Sequence, residues 1–208
     1  MRRSRNSFPI SEFAGKKVLN VVGGVRILNA VSAGGENRYM PDGPYRVTIV
    51  CSGNTCRSPM AAGILTEALA ERGAEGIEVA SAGTLGIVGS PATPLAVEVS
   101  RSFGVDIAAH RSQAFTEDLA RSSDLVLALS AEHFGAALAL GAPAENVYML
   151  KTFPRRTKDL VGASIHDPIG GDREEYLRVF LEIDDALRQG VSEIIRQAAA
   201  GRGEREGE

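Results

Sequence analysis

Cysteine occurs only twice in this sequence of 208 residues. Two cysteines cannot staple a chain of this size, so the fold must rest on an apolar core and a reducing, cytoplasmic setting is expected. No stretch approaches the roughly 18 apolar residues that a membrane helix needs, so no membrane partner is expected. A basic excess is missing too. The 23 Lys and Arg face 26 Asp and Glu, a formal net charge of -3, which removes the electrostatic case for a nucleic-acid partner. What remains is 44% hydrophobic and 24% charged, long enough to bury a substantial core in one domain.

The charge is uneven. Residues 1 to 40 hold seven Lys or Arg against two Glu, net +5, leaving 16 basic against 24 acidic residues, net -8, for the rest. This basic front segment, residues 1 to 44, reads as an N-terminal extension, most simply a loosely ordered tail. An export signal is a second reading, although Arg26 interrupts its apolar stretch and Glu12 sits in its basic region. Translation starting at Met40 is a third.

From Tyr45 onward, short β-branched runs alternate with helical segments. "YRVTIV" (45 to 50), "IEVASA" (77 to 82), "DLVLAL" (124 to 129) and "NVYML" (146 to 150) predict buried strands. Helices are expected at about 58 to 72, 93 to 103, 116 to 121, 131 to 139 and 173 to 199. This alternation predicts an α/β fold, an open parallel four-stranded sheet with helices on both faces, in one domain over 45 to 200. The tail 201 to 208, "GRGEREGE", should be disordered.

In such a sheet ligands bind beyond the carboxyl ends of the strands, where connections diverge to the two faces. Both cysteines lie there, in "VCSGNTCRSPMA" directly after the first strand of the domain. Gly53 and Asn54 tolerate left-handed backbone angles, so successive amides of Ser52 to Cys56 can point at one centre and form an anion nest. The helix starting near Ser58, with Pro59 close to its first position, aims its positive end at the same place. Phosphate suits this site, and Arg57 offers a planar fork for two of its oxygens. Cys51, at the floor of that positive bowl, should form a thiolate more easily than an ordinary cysteine. A phosphate-binding loop with a built-in nucleophile is the reading. A cysteine that merely packs at the end of a strand is the plain alternative.

The loop resembles that of the low-molecular-weight protein tyrosine phosphatases, whose pattern is Cys, five residues, Arg, then Ser. Further likenesses lie at "SAGT" (81 to 84), "AHRSQAF" (109 to 115), "DLVLALSAEH" (124 to 133) and "HDPIGG" (166 to 171). The resemblance implies a phosphoprotein phosphatase that needs neither metal nor cofactor. Cys51 would attack phosphorus and carry a phosphocysteine, while Arg57 and the loop amides steady the equatorial oxygens. Asp167 would protonate the leaving group and then help activate water. Ser58 resembles the serine that hydrogen-bonds the thiolate, and Asn54 and His110 resemble residues that brace the loop. His133 and His166 lack a metal-ligand partner set and receive no role. A Cys51–Cys56 disulfide could protect the nucleophile; simple packing of Cys56 beneath the loop is the other reading.

The resemblance leaves two substrates. Many tyrosine-directed members carry an apolar residue where this chain has Thr55, and an aromatic pair where it has Ile169 and Gly170. Thr55 with "DPIGG" is similar to the bacterial protein arginine phosphatases, which carry an aromatic in place of Ile169. Phosphoarginine is therefore expected ahead of phosphotyrosine. Arsenate reductases share the loop and are a further alternative; their thioredoxin-coupled thiol cascade uses further downstream cysteines and none follows Cys56, which leaves a glutathione- or mycothiol-coupled mechanism for that reading. A non-catalytic phosphate-binding or redox-sensing module is the rival from another class.

Overall fold

A computed structural model describes residues 19–22, 25–28 and 43–205. Its elements run β1 (Leu19–Val22), β2 (Val25–Leu28), β3 (Tyr45–Cys51), α1 (Arg57–Ala70), β4 (Ile77–Gly83), α2 (Pro94–Ser102), α3 (Glu117–Arg121), β5 (Leu125–Ala128), α4 (Ala131–Ala139), β6 (Val147–Met149) and α5 (Arg173–Arg205). The sheet order is β1-β2-β4-β3-β5-β6. The four expected strands form an all-parallel core, β4-β3-β5-β6.

Two outcomes differ from expectation. Part of the basic front segment is a hairpin: β1 pairs antiparallel with β2, and β2 joins β4 in parallel through Arg26 opposite Glu78 and Ile27 opposite Val79. The sheet is thus six-stranded. The exposed edge of β4 offers unpaired backbone groups that a β-branched segment can satisfy, which net charge does not reveal. At the other end α5 continues to Arg205, so residues 201 to 205, expected as part of a disordered tail, prolong the helix. The readings of residues 1 to 18, of the stretch around Met40 and of 206 to 208 lie outside the described residues.

Side-chain alternation along β3 builds both layers. Val47, Ile49 and Cys51 point to one face, packing with Met60, Ile64 and Leu65 of α1, Val99 of α2 and Phe180 and Ile183 of α5. Val50 points to the other, against Ala120 of α3 and Ala137 of α4. Both faces are apolar because a parallel strand is covered on both sides. Burying each of these larger aliphatic side chains contributes about 1.5–3 kcal/mol.

From β3 the chain passes to β4 on one side, then returns to β5 on the other. The end of β3 is therefore the point where connections diverge, and Cys51 is its last residue. Close packing there demands Gly83 at the end of β4: a Cβ on it would lie 2.6 Å from Ser52 O and 3.0 Å from Asn54 N. Glycine lets β4 and the loop touch.

Candidate active site

The 51–58 loop is organised around Asn54. Its φ of 54° is left-handed, a region that asparagine tolerates better than most residues. Every polar group of Asn54 is engaged. Nδ2 donates to Ser58 Oγ and Ser81 Oγ, both at 2.9 Å, and Oδ1 accepts from Gln113 N at 2.8 Å. Its carbonyl accepts from His110 Nε2 at 2.7 Å, and its amide donates to Cys51 Sγ at 3.2 Å. A carbonyl can only accept, so His110 carries its proton on Nε2. Burial lowers the pKa of His110.

Cys51 Sγ lies 2.9 Å from Ser58 Oγ. Ser58 Oγ also accepts from Asn54 Nδ2, which leaves its own proton free to be given to the sulfur. The expectation of an easily formed thiolate is corrected here. Burial pushes the Cys51 thiol above its ordinary pKa, and the hydrogen bonds from Ser58 and Asn54 and the charge of Arg57 only partly pull it back. The guanidinium that should favour the thiolate is shared with a carboxylate.

That carboxylate is Asp167. Arg57 Nη2 is paired with Asp167 Oδ2 and also donates to Ser52 Oγ at 3.2 Å, while Nη1 donates to Ile165 O at 3.1 Å. Arg57 Nε is buried and has no hydrogen-bond partner among the described residues. Arg57 is 4% exposed, so this unpaired N–H is an exception to the rule that buried donors are bonded. Asp167 Oδ1 accepts from Ile169 N at 3.2 Å, a local turn bond of the kind Asp forms with the backbone two residues on. Ile165 N donates to Leu129 O at 2.8 Å, tying the Asp-Pro segment to the end of β5.

The remaining expected residues surround this centre. Cys56 stands just before α1, whose first turn has no acidic side chain to compete with an anion. Its buried thiol faces Tyr176 Oη at 3.3 Å and Thr93 Oγ1 at 3.4 Å. Neither cysteine is in a disulfide. Burial, then the Cys56 contact, pushes the Tyr176 hydroxyl up to about 12. Thr55 O accepts from Thr93 N at 2.8 Å, and Gly53 lies below Ile87. Exposed Leu85, Val88 and Ile169 extend the apolar surface on the segments that follow β4 and Asp167. His166 is exposed and bonded to Glu175 at 2.7 Å.

Sequence reasoning missed Ser81, Gln113, Thr93, Tyr176 and His133. The first two lie inside family-like segments, "SAGT" and "AHRSQAF", which was the available signal. His133 lies in another, "DLVLALSAEH", yet it had been set aside for want of metal partners. Its buried ring contacts Ser52 Oγ through Nε2 at 3.0 Å. Among the described residues no cluster of His, Cys, Asp or Glu could hold a metal ion, and no helix is long and apolar enough to cross a membrane.

Residues 46–200 match the family model of the low molecular weight phosphotyrosine protein phosphatases. The low molecular weight protein-tyrosine phosphatase A of Mycobacterium tuberculosis is 38% identical over 146 residues, covering 69% of this chain and 88% of that protein. The protein-arginine-phosphatase of Bacillus subtilis is 37% identical over 145 residues, covering 69% and 92%. Among solved structures, the YwlE arginine phosphatase of Geobacillus stearothermophilus superposes with a TM-score of 0.64 at 31% identity, covering 76% of this chain and 97% of that one. Vibrio vulnificus Wzb in complex with benzylphosphonate gives 0.62 at 27% identity, covering 73% and 99%. The β1–β2 hairpin precedes the matched region.

Proposed function

The chain belongs to the low molecular weight phosphotyrosine protein phosphatase family, whose members are cysteine-dependent, metal-independent hydrolases of phosphorylated proteins, and on that premise we propose that it acts through a phosphocysteine on Cys51. The observation that carries this reading is the meeting of Asp167, across 110 positions of sequence, with the arginine whose charge acts on the Cys51 sulfur.

An incoming phosphoryl group takes the guanidinium edge from Asp167 and gives Arg57 Nε its acceptor. The loop amides and the N-terminus of α1 complete a preorganised positive field, which supplies charge stabilisation without a metal. With Asp167 removed from it, the guanidinium faces the sulfur and favours the thiolate, and the proton that leaves Cys51 passes to the freed Asp167 carboxylate. Cys51 Sγ then forms a bond to phosphorus while the bond to the leaving oxygen or nitrogen breaks. That atom takes the proton of Asp167. Water, deprotonated by the Asp167 carboxylate, attacks the phosphocysteine, releases phosphate and returns the sulfur. Ser58 Oγ steadies the thiolate at each return, and His110 and Asn54 hold the loop. Two free thiols suit a reducing cytoplasm.

The same site favours phosphoarginine among phosphoproteins, because the Thr55 hydroxyl at the loop can hydrogen-bond a guanidinium where an apolar side chain cannot. Phosphotyrosine is the second reading, favoured by the apolar surface of Leu85, Ile87, Val88 and Ile169, against which a phenyl ring would pack.

Turnover of p-nitrophenyl phosphate, with mass spectrometry of acid-quenched protein, tests the chemistry. The expected result is a phosphate on the peptide containing Cys51, and turnover with an adduct elsewhere overturns the assignment. Thr55→Ile should raise phosphotyrosine turnover relative to phosphoarginine by about tenfold, the scale of one matched or mismatched pocket contact. An unchanged ratio removes the argument from Thr55.

A further inference from the structure

His133 is 2% exposed and has no part in the chemistry above. Its ring bridges two serines, with Nε2 at 3.0 Å from Ser52 Oγ and Nδ1 at 2.8 Å from Ser130 Oγ. Ser130 caps α4 and its Oγ accepts from the His133 amide.

The donor inventory gives this chain a direction. Arg57 Nη2 can only donate, so Ser52 Oγ accepts from it at 3.2 Å. The hydroxyl proton of Ser52 is then available to His133 Nε2, and we assign Nε2 as its acceptor; the opposite tautomer, with Nε2 donating to Ser52, is what the 15N spectrum below distinguishes. A neutral ring that accepts at Nε2 carries its proton on Nδ1, and that proton goes to Ser130 Oγ. Donation therefore runs from Arg57 to Ser52 to His133 to Ser130, starting at the phosphate loop and ending at the first turn of α4.

We propose that His133 is a positioning residue for oxyanion recognition: by fixing the Ser52 hydroxyl it holds Arg57 Nη2, and so aims the guanidinium edge that bears the unpartnered Nε into the loop. The kinetic consequence rests on the phosphatase reading, whereas the wiring rests on geometry alone. Arg57 and Asp167 are the charged groups that act on the ring. Protonation would turn Nε2 into a second donor facing Ser52 and place a charge beside Arg57. Burial, with the charge of Arg57, lowers the ring's pKa to about 4, so the acceptor persists at neutral pH.

Three variants separate positioning from packing. In His133→Gln the amide oxygen stands four bonds from Cα, as Nε2 does, and can accept from Ser52. In His133→Asn it stands three bonds away, as Nδ1 does, and reaches only toward Ser130. The Gln variant should retain kcat/KM within about twofold, whereas the Asn variant should lose about tenfold, the scale of one hydrogen bond acting on a charged group. Inhibition by inorganic phosphate should weaken in the Asn variant by a similar factor. That penalty should vanish in a Ser52→Ala background, where the connection to Arg57 is already cut. Equal losses in both single variants, or a penalty that persists with Ser52→Ala, would overturn the proposal in favour of simple core packing.

A second measurement needs no activity. In 15N-histidine spectra of the wild-type protein, His133 should be the neutral Nδ1–H tautomer from pH 5.5 to 8; an Nε2–H tautomer or a charged ring at pH 7 would overturn the wiring. If the wild-type protein hydrolyses neither a phosphate ester nor phosphoarginine, the phosphatase reading fails and this spectrum still decides the role of His133.

Discussion

Around Asn54 the phosphate loop is gripped from β4 through Ser81, from the 110–113 segment through His110 and Gln113, and from α1 through Ser58, all by buried hydrogen bonds. Asp167 is held differently. Its side chain is 35% exposed, and its partners are Arg57 and the amide of Ile169. The contrast matches the two jobs. Binding an oxyanion gains from groups that need no reorganisation. In the proposed mechanism Asp167 must leave Arg57, protonate a leaving group and later take a proton from water, and such an acid gains from few constraints.

Substitutions at each end should separate these jobs. Cys51→Ser should remove turnover by on the order of 10,000-fold or more while leaving the melting temperature close to that of the wild type. Residual turnover near the wild-type rate would mean that another group is the nucleophile. Asp167→Asn should lower kcat for unactivated leaving groups by about 1,000-fold, within the usual span for a general acid. Because the substitution also breaks the ion pair with Arg57, phosphate inhibition should tighten; weaker inhibition would show that Asp167 organises the binding half too. Asn54→Ala lies on the gripped side and should destabilise the fold. It removes three buried side-chain hydrogen bonds and leaves alanine at positive φ, so a loss of about 3 kcal/mol is expected by chemical denaturation. A loss below about 1 kcal/mol would make the loop far less tightly held than its contacts indicate.

The smallest effect is a pH dependence from His133, whose folded pKa of about 4 lies below the ordinary imidazole value of 6.5. Between those values the unfolded chain binds a proton that the folded protein does not, so stability falls as pH drops from about 6.5 toward 4 and levels off below. The contribution should be roughly 2 kcal/mol once solvent screening is allowed for. His133→Asn should flatten this limb in denaturant titrations across that range. An unaltered slope would assign the acid sensitivity elsewhere, His110 first, since burial lowers its pKa too.

Much of this arrangement was legible from local pattern. The β-branched run ending at Cys51, the turn residues Gly53 and Asn54, and Arg57 and Ser58 at the start of a helix all express their structure within a few positions. The β1–β2 hairpin was not legible, because its pairing with β4 joins residues about fifty positions apart and the eye is drawn to its charge. The environment of Cys51 was legible only in part, for a similar reason. A basic loop predicts a lowered pKa, but burial and the sharing of Arg57 with Asp167 are properties of the folded molecule.

By itself the sequence determined the parallel core, the placing of Cys51 and Arg57 on one loop, and the family, since each depends on residue type and short spacing. Tertiary structure alone decided that Arg57 meets Asp167, that Asn54 is closed by Gln113 and His110, and that His133 reaches Arg57 through Ser52. These contacts span tens of residues, and a hydrogen bond depends on distances of a few tenths of an ångström that only the packed chain defines.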